Sequence, residues 1–451
     1  MTQSDHTLQR MLGLRDLVLI VIGSVIGSGI FIVPATVLRQ THGHVGIALL
    51  VWFVAGVLSL LGALTYGEMG AANPEAGGLY VYIRDAFGAL PAFLYGWTAF
   101  FVISSGAVAT LAVAFTGYLG QIVPVSPLAG KAVSVLMIAV VMAVNIRGTR
   151  QGADVQNVTT GIKLVALVLI SIVLLAVGHR FTIAAPAGAA AVSGMSLVSA
   201  FGLAMIGVLW SYEGWQYVTF SAGETRDPQR TFPRGIIIGT GVMIVVYLLA
   251  NVGYIAALGP ARAAQSDRIA ADAVASLLGP LAGKLIAAVI LVSMFSAANG
   301  ITITTPRVYF AMARDRVFFR KMAEVHPRFG TPAVAIFWSS LWAMCLAVTG
   351  TFEQLLTYVV FVGWIFYGLG AVSIFVYRRR EPNMVRPFRV PGYPVTPLLF
   401  VASAAAIVVN TMVTQPGRAF LGLGIVLLGA PVFFIWRFRS RREAGEALES
   451  S

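Results

Sequence analysis

Long apolar runs make up most of the chain, and short polar or basic segments separate them. A membrane span needs about 20 predominantly apolar residues to cross roughly 30 Å of hydrocarbon. The pattern predicts twelve spanning helices, at 17–39, 45–70, 88–120, 127–146, 157–178, 196–222, 234–258, 283–312, 333–350, 354–377, 393–413 and 419–437. Segment 262–281 has the pattern of a single amphipathic helix at a membrane surface. The predicted fold class is therefore an all-α polytopic membrane protein.

Composition supports this prediction and charge adds the orientation. Hydrophobic residues are 58% of the chain and charged residues 11%, too few to cover a soluble fold. With a cytoplasmic N-terminus, 22 of the 31 Lys and Arg residues fall on the inner side and 7 on the outer side. This is the bias of the positive-inside rule. We therefore expect a multi-pass protein of the cell (inner or plasma) membrane with both termini cytoplasmic.

The same distribution argues against several other functions. Topology accounts for the net charge of +13, so nucleic-acid binding is not needed to explain the basic clusters. One cysteine and five histidines without metal-ligand spacing give no disulfide framework and no metal site. Charged groups within the spans are nearly isolated from one another, so no catalytic site and no cofactor are expected.

Two spans carry residues that interrupt a helix. The first contains Gly23, Gly27 and Gly29, and each glycine costs about 1 kcal/mol in a helix relative to alanine. Close helix packing through Gly23 and Gly27 is the alternative explanation. The sixth contains Glu213 between apolar flanks, and an acid at that depth indicates a functional site.

Spans one and six are corresponding members of two five-span halves. Breaks at matching positions of two halves indicate a transporter site. Each break exposes N–H groups that attract an anion and C=O groups that attract a cation. Such a pair suits a zwitterion.

Four motifs resemble those of the amino acid–polyamine–organocation (APC) superfamily, in the same order along the chain. They are Gly27-Ser28-Gly29-Ile30-Phe31, Tyr66-Gly67-Glu68-Met69, Gly223-Glu224 and Asn299-Gly300 with the sequence that follows. The likeness covers nearly the whole chain. The stretch Tyr212-x-Gly214-Trp215 is most similar to the L-type amino acid transporters.

The resemblance implies a leucine-transporter-type fold, a 5+5 inverted repeat with two extra helices. The expected parts are a cytoplasmic tail at 1–16, repeats at 17–178 and 196–377, two helices within 393–437, and a second cytoplasmic tail at 438–451. It also implies amino acid transport by alternating access, so the protein is not expected to be an enzyme.

The resemblance carries site residues over as well. The substrate carboxylate is expected at the backbone N–H groups of Ser28, Gly29 and Ile30, beside Gly27. The substrate ammonium is expected at carbonyls of Val25, Trp210 and Glu213, beside Ser211, with the Trp210 ring covering the substrate from outside.

Lys163 in span five lies about six residues, or roughly 9 Å, from the cytoplasmic end of its span. One interpretation is that the side chain snorkels to the inner interface. The resemblance implies instead that Lys163 replaces the second sodium ion of sodium-coupled relatives. In that role it contacts the first break and Ser293, with Ser296 nearby.

The expected partners are an amino acid substrate and the lipid bilayer. Animal heteromeric relatives attach a glycoprotein through a cysteine in the outer loop after span three. The loop 121–127 has no cysteine, so no disulfide-linked subunit is expected. The chain is predicted to be a monomer or a weak homo-oligomer.

Three alternatives to a sodium-independent carrier of neutral amino acids remain open at this stage. Glu213 favours a cationic amino acid or amine if its carboxylate faces the pocket. A membrane-embedded enzyme and a non-transporting nutrient sensor are the other two. Exchange and proton symport are both compatible with the sequence.

Overall fold

The computed structural model describes residues 8–120, 122–183 and 194–449. The first seven residues of the predicted N-terminal tail, Gln121, and the last two residues of the C-terminal tail lie outside this part. The α-helices are α1 (Leu14–Val25), α2 (Gly29–Gln40), α3 (Val45–Ala72), α4 (Leu79–Phe87), α5 (Ala89–Thr98), α6 (Ser104–Leu119), α7 (Pro127–Ile146), α8 (Thr149–Val177), α9 (Gly194–Ser211), α10 (Pro228–Leu258), α11 (Pro260–Gln265), α12 (Ile269–Leu278), α13 (Pro280–Thr304), α14 (Pro306–Arg314), α15 (Ala333–Thr349), α16 (Phe352–Arg380), α17 (Val395–Thr414) and α18 (Pro416–Glu449).

Three shorter helical segments complete the described chain. A π-helical turn, Ala99–Ile103, joins α5 to α6, and 3₁₀ segments cover Trp215–Glu224 and Arg320–Ala323. Within the described residues the extended pairing is limited to one isolated bridge between Leu12 and Thr225.

The membrane-spanning helices agree with the sequence pattern at the level of an all-helical polytopic protein. In the described ranges, ten helices are long and apolar enough to cross a membrane, and the bent pair α1 and α2 gives an eleventh. The predicted ninth span corresponds to α15, which has 17 residues and is shorter than the others. At 1.5 Å per residue α15 is about 26 Å long, slightly less than the hydrocarbon thickness.

Helix α1 lies inside the bundle, in contact with α8, α10 and α13, whereas α2 packs on α9 and α11. One face of α8 is buried and turned toward these helices, with Gly152, Gln156, Thr160 and Lys163 along it. The opposite face presents Ile162 and Val165 to the exterior. The buried face of α8 supplies the polar groups that support the broken span.

The prediction of one amphipathic helix at 262–281 is wrong. The chain forms two short helices there, α11 and α12, separated at Ser266. The Ser266 hydroxyl donates to the Asp272 carboxylate at 2.6 Å and accepts from the Arg268 N–H at 3.1 Å. Ser266 is the residue that ends α11, because its backbone is extended there (φ −77°, ψ 135°), and its hydroxyl bridges the loop to α12.

Candidate functional site

The first break lies between α1 and α2, which meet at a bend of 45°. Ile26 leaves the helical conformation (φ −71°, ψ 88°), and the Gly27 N–H donates to the Val25 carbonyl at 2.8 Å. The amides of Ser28, Gly29 and Ile30 stand at the start of α2, where N–H groups have no acceptor within their own helix. The break therefore presents a positive helix end and a negative helix end to each other.

The glycines of this span have different roles. A Cβ added at Gly23 would lie 1.9 Å from Nε2 of Gln156, so Gly23 permits close packing of α1 on α8. A Cβ at Gly27 would lie 2.9 Å from the Leu111 side chain, on the side of the break that faces α6. Close helix packing thus explains Gly23, whereas Gly27 belongs to the opened turn.

The second break follows α9, which ends at Ser211. Gly214 has φ +130°, a conformation that side-chain-bearing residues rarely adopt, and the chain continues as the 3₁₀ segment Trp215–Glu224. A Cβ at Gly214 would lie 2.7 Å from the Ser24 carbonyl carbon, and one at Gly29 would lie 2.6 Å from the Ser211 Cα. The two breaks are therefore in direct backbone contact.

A small cavity of about 20 Å³ lies between the breaks. It is lined by Ser24, Val25, Gly27, Ser28, Gly29, Ala107, Leu111, Trp210, Glu213, Tyr217 and Ile301. Six of the eight predicted substrate-binding residues are among them. Ile30 follows Gly29 in α2, and Ser211 packs against Gly29. A volume of this size holds about one water molecule, so the site is closed.

Sequence reasoning missed the walls that α6 and α13 contribute. Ala107, Leu111 and Ile301 are apolar residues in apolar spans, and nothing in their spacing marks them. Their position beside the cavity becomes evident only when the helices are packed.

Lys163 is fully buried and its side chain is directed at the first break. Its Nζ donates to the carbonyls of Gly23 and Ile26, each at 2.6 Å, and to that of Ser293 at 3.3 Å. The Ser293 hydroxyl also donates to the Ile26 carbonyl, at 3.0 Å. The side chain does not extend to the inner interface, so the snorkelling interpretation is wrong.

Ser296, the other residue predicted for the coupling site, contacts a different group. Its hydroxyl lies 3.4 Å from that of Thr160, one turn from Lys163 on α8. Ser293 and Ser296 thus both lie at the junction of α8 with α13, but Ser293 makes the contact with Lys163.

Tyr247 of α10 joins the two breaks, and no sequence pattern indicates this role. Its hydroxyl lies 2.9 Å from the Val25 carbonyl and 2.9 Å from the Ser211 carbonyl. A hydroxyl has one proton, so it donates to one of these carbonyls at a time. The ring packs against Trp52 and Tyr212, which fix its position.

The Glu213 carboxylate is held by a cluster of side chains. Its Oε1 accepts hydrogen bonds from Gln216 Nε2, Tyr217 Oη and Tyr367 Oη. Tyr367 belongs to α16, so the acid links the second break to the wall of the bundle. These donors compensate much of the cost of burying an acid.

Polar contacts lie at the ends of both broken spans. On the side of the chain's N-terminus, Arg307 Nε pairs with Glu224 at 2.6 Å, both side chains being 1% exposed, and Arg307 Nη2 donates to Thr149 Oγ1. On the opposite side, Arg39 Nη1 donates to the Ala264 carbonyl at 2.9 Å. Arg307, a lone intramembrane charge in the sequence, is therefore one half of a buried ion pair.

Comparison with known proteins agrees with this geometry. The sequence pattern of the amino acid permease family matches residues 12–433. The serine/threonine exchanger SteT of Bacillus subtilis (strain 168) is 30% identical over 439 residues, covering 96% of this chain and 98% of that protein. The large neutral amino acids transporter small subunit 2 of Homo sapiens is 32% identical over 435 residues, covering 95% and 80%.

A third similar protein is the b(0,+)-type amino acid transporter 1 of Homo sapiens, 32% identical over 435 residues and covering 95% and 88% of the two chains. The resemblance to the L-type branch is thereby confirmed along nearly the full length. The chain belongs to the amino acid permease family of the APC superfamily, and it is a membrane transporter of amino acids rather than an enzyme.

Proposed function

We propose that the protein carries neutral amino acids across the cell membrane by alternating access, without sodium. The observation that carries this proposal is the position of Lys163, whose Nζ lies on two carbonyls of α1 at the first break. A cationic side chain in that place supplies the charge that a bound cation would otherwise supply. Two of the similar proteins are named as a serine/threonine exchanger and a large neutral amino acids transporter.

The proposed binding mode places the two charges of the substrate on the two kinds of helix end. The carboxylate accepts from the amides of Ser28, Gly29 and Ile30, and the positive helix end adds to their attraction. The ammonium donates to carbonyls of Val25 and Trp210 and to that of Glu213. The cavity has room for about one water molecule and not for an amino acid, so its walls must move apart to admit the substrate.

The contacts around Val25 support a closed arrangement that opens on substrate entry. The Val25 carbonyl accepts from the Gly27 N–H and from Tyr247, and an oxygen with two lone pairs has no further capacity. Rotation of the Tyr247 hydroxyl so that it donates only to the Ser211 carbonyl frees one lone pair of the Val25 carbonyl for the ammonium.

The proposed architecture has twelve spans with both termini cytoplasmic, α15 being the ninth. The repeats cover 17–178 and 196–377, and the last two helices lie within 393–437. Each repeat begins with a span that is broken at a similar depth, which supports this division. We further propose a monomer or a weak homo-oligomer without a disulfide-linked subunit.

Trp210 forms part of the cavity wall and is proposed to cover the bound substrate. Trp210→Ala should reduce uptake about tenfold or more, because a buried indole supplies several kcal/mol of apolar contact. Trp436→Ala is the matched control, since Trp436 stacks on Phe318 and lies away from the cavity. Equal loss of uptake in both variants would indicate a general packing role for Trp210.

The role of the Glu213 carboxylate distinguishes the neutral from the cationic substrate hypothesis. Its carboxylate is already hydrogen-bonded to three side chains, so we expect leucine, alanine or serine to compete with labelled substrate and arginine and lysine to compete poorly. Glu213→Gln keeps the shape and the acceptor oxygen and should leave this order unchanged. Strong competition by arginine that disappears in Glu213→Gln would favour the cationic alternative.

Uptake into proteoliposomes tests the proposed function most directly. Purified protein is reconstituted with or without internal unlabelled amino acid, and entry of labelled leucine, alanine and serine is followed. Entry that needs internal amino acid indicates an exchanger, and entry without it indicates symport. Substrate binding without entry under either condition would identify a non-transporting sensor and refute the proposal.

A further inference from the structure

Three buried carboxamide side chains, from α7, α13 and α8, are hydrogen-bonded in series next to α1, the first half of the broken span. Asn145 Nδ2 of α7 donates to the Val141 carbonyl at 2.9 Å and to Asn299 Oδ1 at 2.7 Å. Asn299 Nδ2 of α13 donates to the Gly152 carbonyl at 3.1 Å and to Gln156 Oε1 at 3.0 Å. Backbone carbonyls only accept, so they fix the orientation of both asparagines. Gln156 must therefore direct its Nε2 away from the chain.

The Gln156 amide, at the end of this hydrogen-bonded series, lies between Gly23 and Gly300, in a space that we call the Gly23–Gly300 notch. A Cβ at Gly23 of α1 would be 1.9 Å from Gln156 Nε2, and a Cβ at Gly300 of α13 would be 2.9 Å from it. Neither position tolerates a side chain while the amide is in place. The carboxamide thus contributes to the need for both glycines, together with Thr160 Oγ1 at the Gly23 position and Ser24 Oγ at the Gly300 position.

Two unpaired polar atoms meet at this notch. Gln156 Nε2 has no hydrogen-bond partner within the described chain, and neither has the hydroxyl of Ser24 on α1. The Cβ position of Gly300 is 2.4 Å from Ser24 Oγ and 2.9 Å from Gln156 Nε2, so these two atoms lie close to each other. A buried donor and a buried acceptor are adjacent and not bonded, which is rare in folded proteins.

The attachments of α1 to its neighbours are consequently unequal. Gln156 is hydrogen-bonded to α13, and through it to α7, but α1 only fits over its amide. Other residues of α8 attach directly to the broken span: Lys163 to the Gly23 and Ile26 carbonyls, Thr160 to the Leu19 carbonyl and Asn157 to the Asp16 carboxylate. At the Gln156 amide itself, a shift of α1 breaks no hydrogen bond, and the carboxamides keep α7, α8 and α13 joined.

We propose that Gln156 is a positioning residue for the inner half of the broken span. In the closed arrangement its amide packs against α1 in the Gly23–Gly300 notch and positions the helix by steric contact. When α1 shifts during opening, Gln156 Nε2 donates to the Ser24 hydroxyl, and this bond stabilises the second arrangement of the cycle. Ser24 lines the substrate cavity, so the bond connects the site to the helices beneath it. The inference rests on the alternating-access cycle proposed above.

A double-mutant cycle in proteoliposomes tests this role. Gln156→Met keeps the length of the side chain and removes the Nε2 donor together with the Oε1 that accepts from Asn299, and Ser24→Ala removes the acceptor of the proposed bond. Each should slow turnover about three- to tenfold, the equivalent of one net hydrogen bond. Gln156→Met should also leave the KM for external substrate unchanged, because Gln156 does not line the cavity. The double variant should be no slower than the slower single variant. Additive slowing would overturn the proposal.

Ser171→Ala is the matched control, because Ser171 is buried on the same helix and its hydroxyl donates within that helix to the Leu167 carbonyl. It should combine additively with Gln156→Met. If Gln156→Met does not fold, Gly23→Ala provides a second test. A Cβ at Gly23 would meet both Gln156 Nε2, at 1.9 Å, and Thr160 Oγ1, at 2.2 Å. Gly23→Ala alone should therefore be inactive, and adding Gln156→Ala together with Thr160→Ala should restore uptake to the level of the Gln156→Ala, Thr160→Ala variant. No restoration would refute the notch, whereas a wild-type protein without uptake would refute the proposed function itself.

Discussion

Replacing Gly29 by alanine is expected to reduce amino acid uptake roughly ten- to hundredfold. The added Cβ would lie 2.6 Å from the Cα of Ser211 and 2.4 Å from its hydroxyl oxygen. Backbone cannot move aside as a flexible side chain can, and overpacking costs about 1–3 kcal/mol. Each 1.4 kcal/mol is a factor of ten in an equilibrium constant. The variant should therefore fail to bring α2 and α9 together around the site.

Gly161→Ala is the matched control for this experiment. Gly161 is a helical glycine on α8, two residues before Lys163, and a Cβ there would meet nothing within 4 Å. Alanine is the better helix former by about 1 kcal/mol, so this variant should transport normally. Uptake is measured in proteoliposomes, and thermal melting in detergent shows that both variants fold. Normal uptake by Gly29→Ala would show that the two breaks need not touch during the cycle.

The sequence predicted the two breaks because their causes are local. Gly27 and Gly29 weaken the first span, and Glu213 marks the sixth because an acid at that depth is costly. Lys163 was identified because a cation within a span is costly wherever the span packs. Residue type and depth were sufficient for these positions, and helix packing was not needed.

The residues that the sequence did not indicate act through packing between distant helices. Tyr247 is one aromatic residue in an apolar run, and only the meeting of α1, α9 and α10 places its hydroxyl on two break carbonyls. Gln156 and Asn299 are 143 positions apart, so their contact has no local signature. Apolar periodicity predicts one helix at 262–281 because it does not show that the backbone becomes extended at Ser266.

Lys163→Ala is expected to lower uptake at least about hundredfold. The change removes three donated hydrogen bonds, two of them to α1 carbonyls at the break, and bonds from a charged group contribute about 1.5–3 kcal/mol each. The Ile26 carbonyl keeps the Ser293 hydroxyl, but the Gly23 carbonyl loses the contact that ties it to α8. Lys284→Ala, at an exposed lysine, is the control and should have little effect.

The same position predicts how wild-type transport responds to ions. A lysine side chain already supplies positive charge at the carbonyls of the break, so replacing external sodium by choline should leave uptake unchanged. Acidifying the outside then separates two mechanisms. A proton symporter should speed up and generate current, while an exchanger of neutral substrates should do neither. In the first case Lys163 carries the proton, and in the second it is a permanent strut between α8 and α1. A requirement for sodium would refute both, because it would place a cation where Nζ of Lys163 already lies.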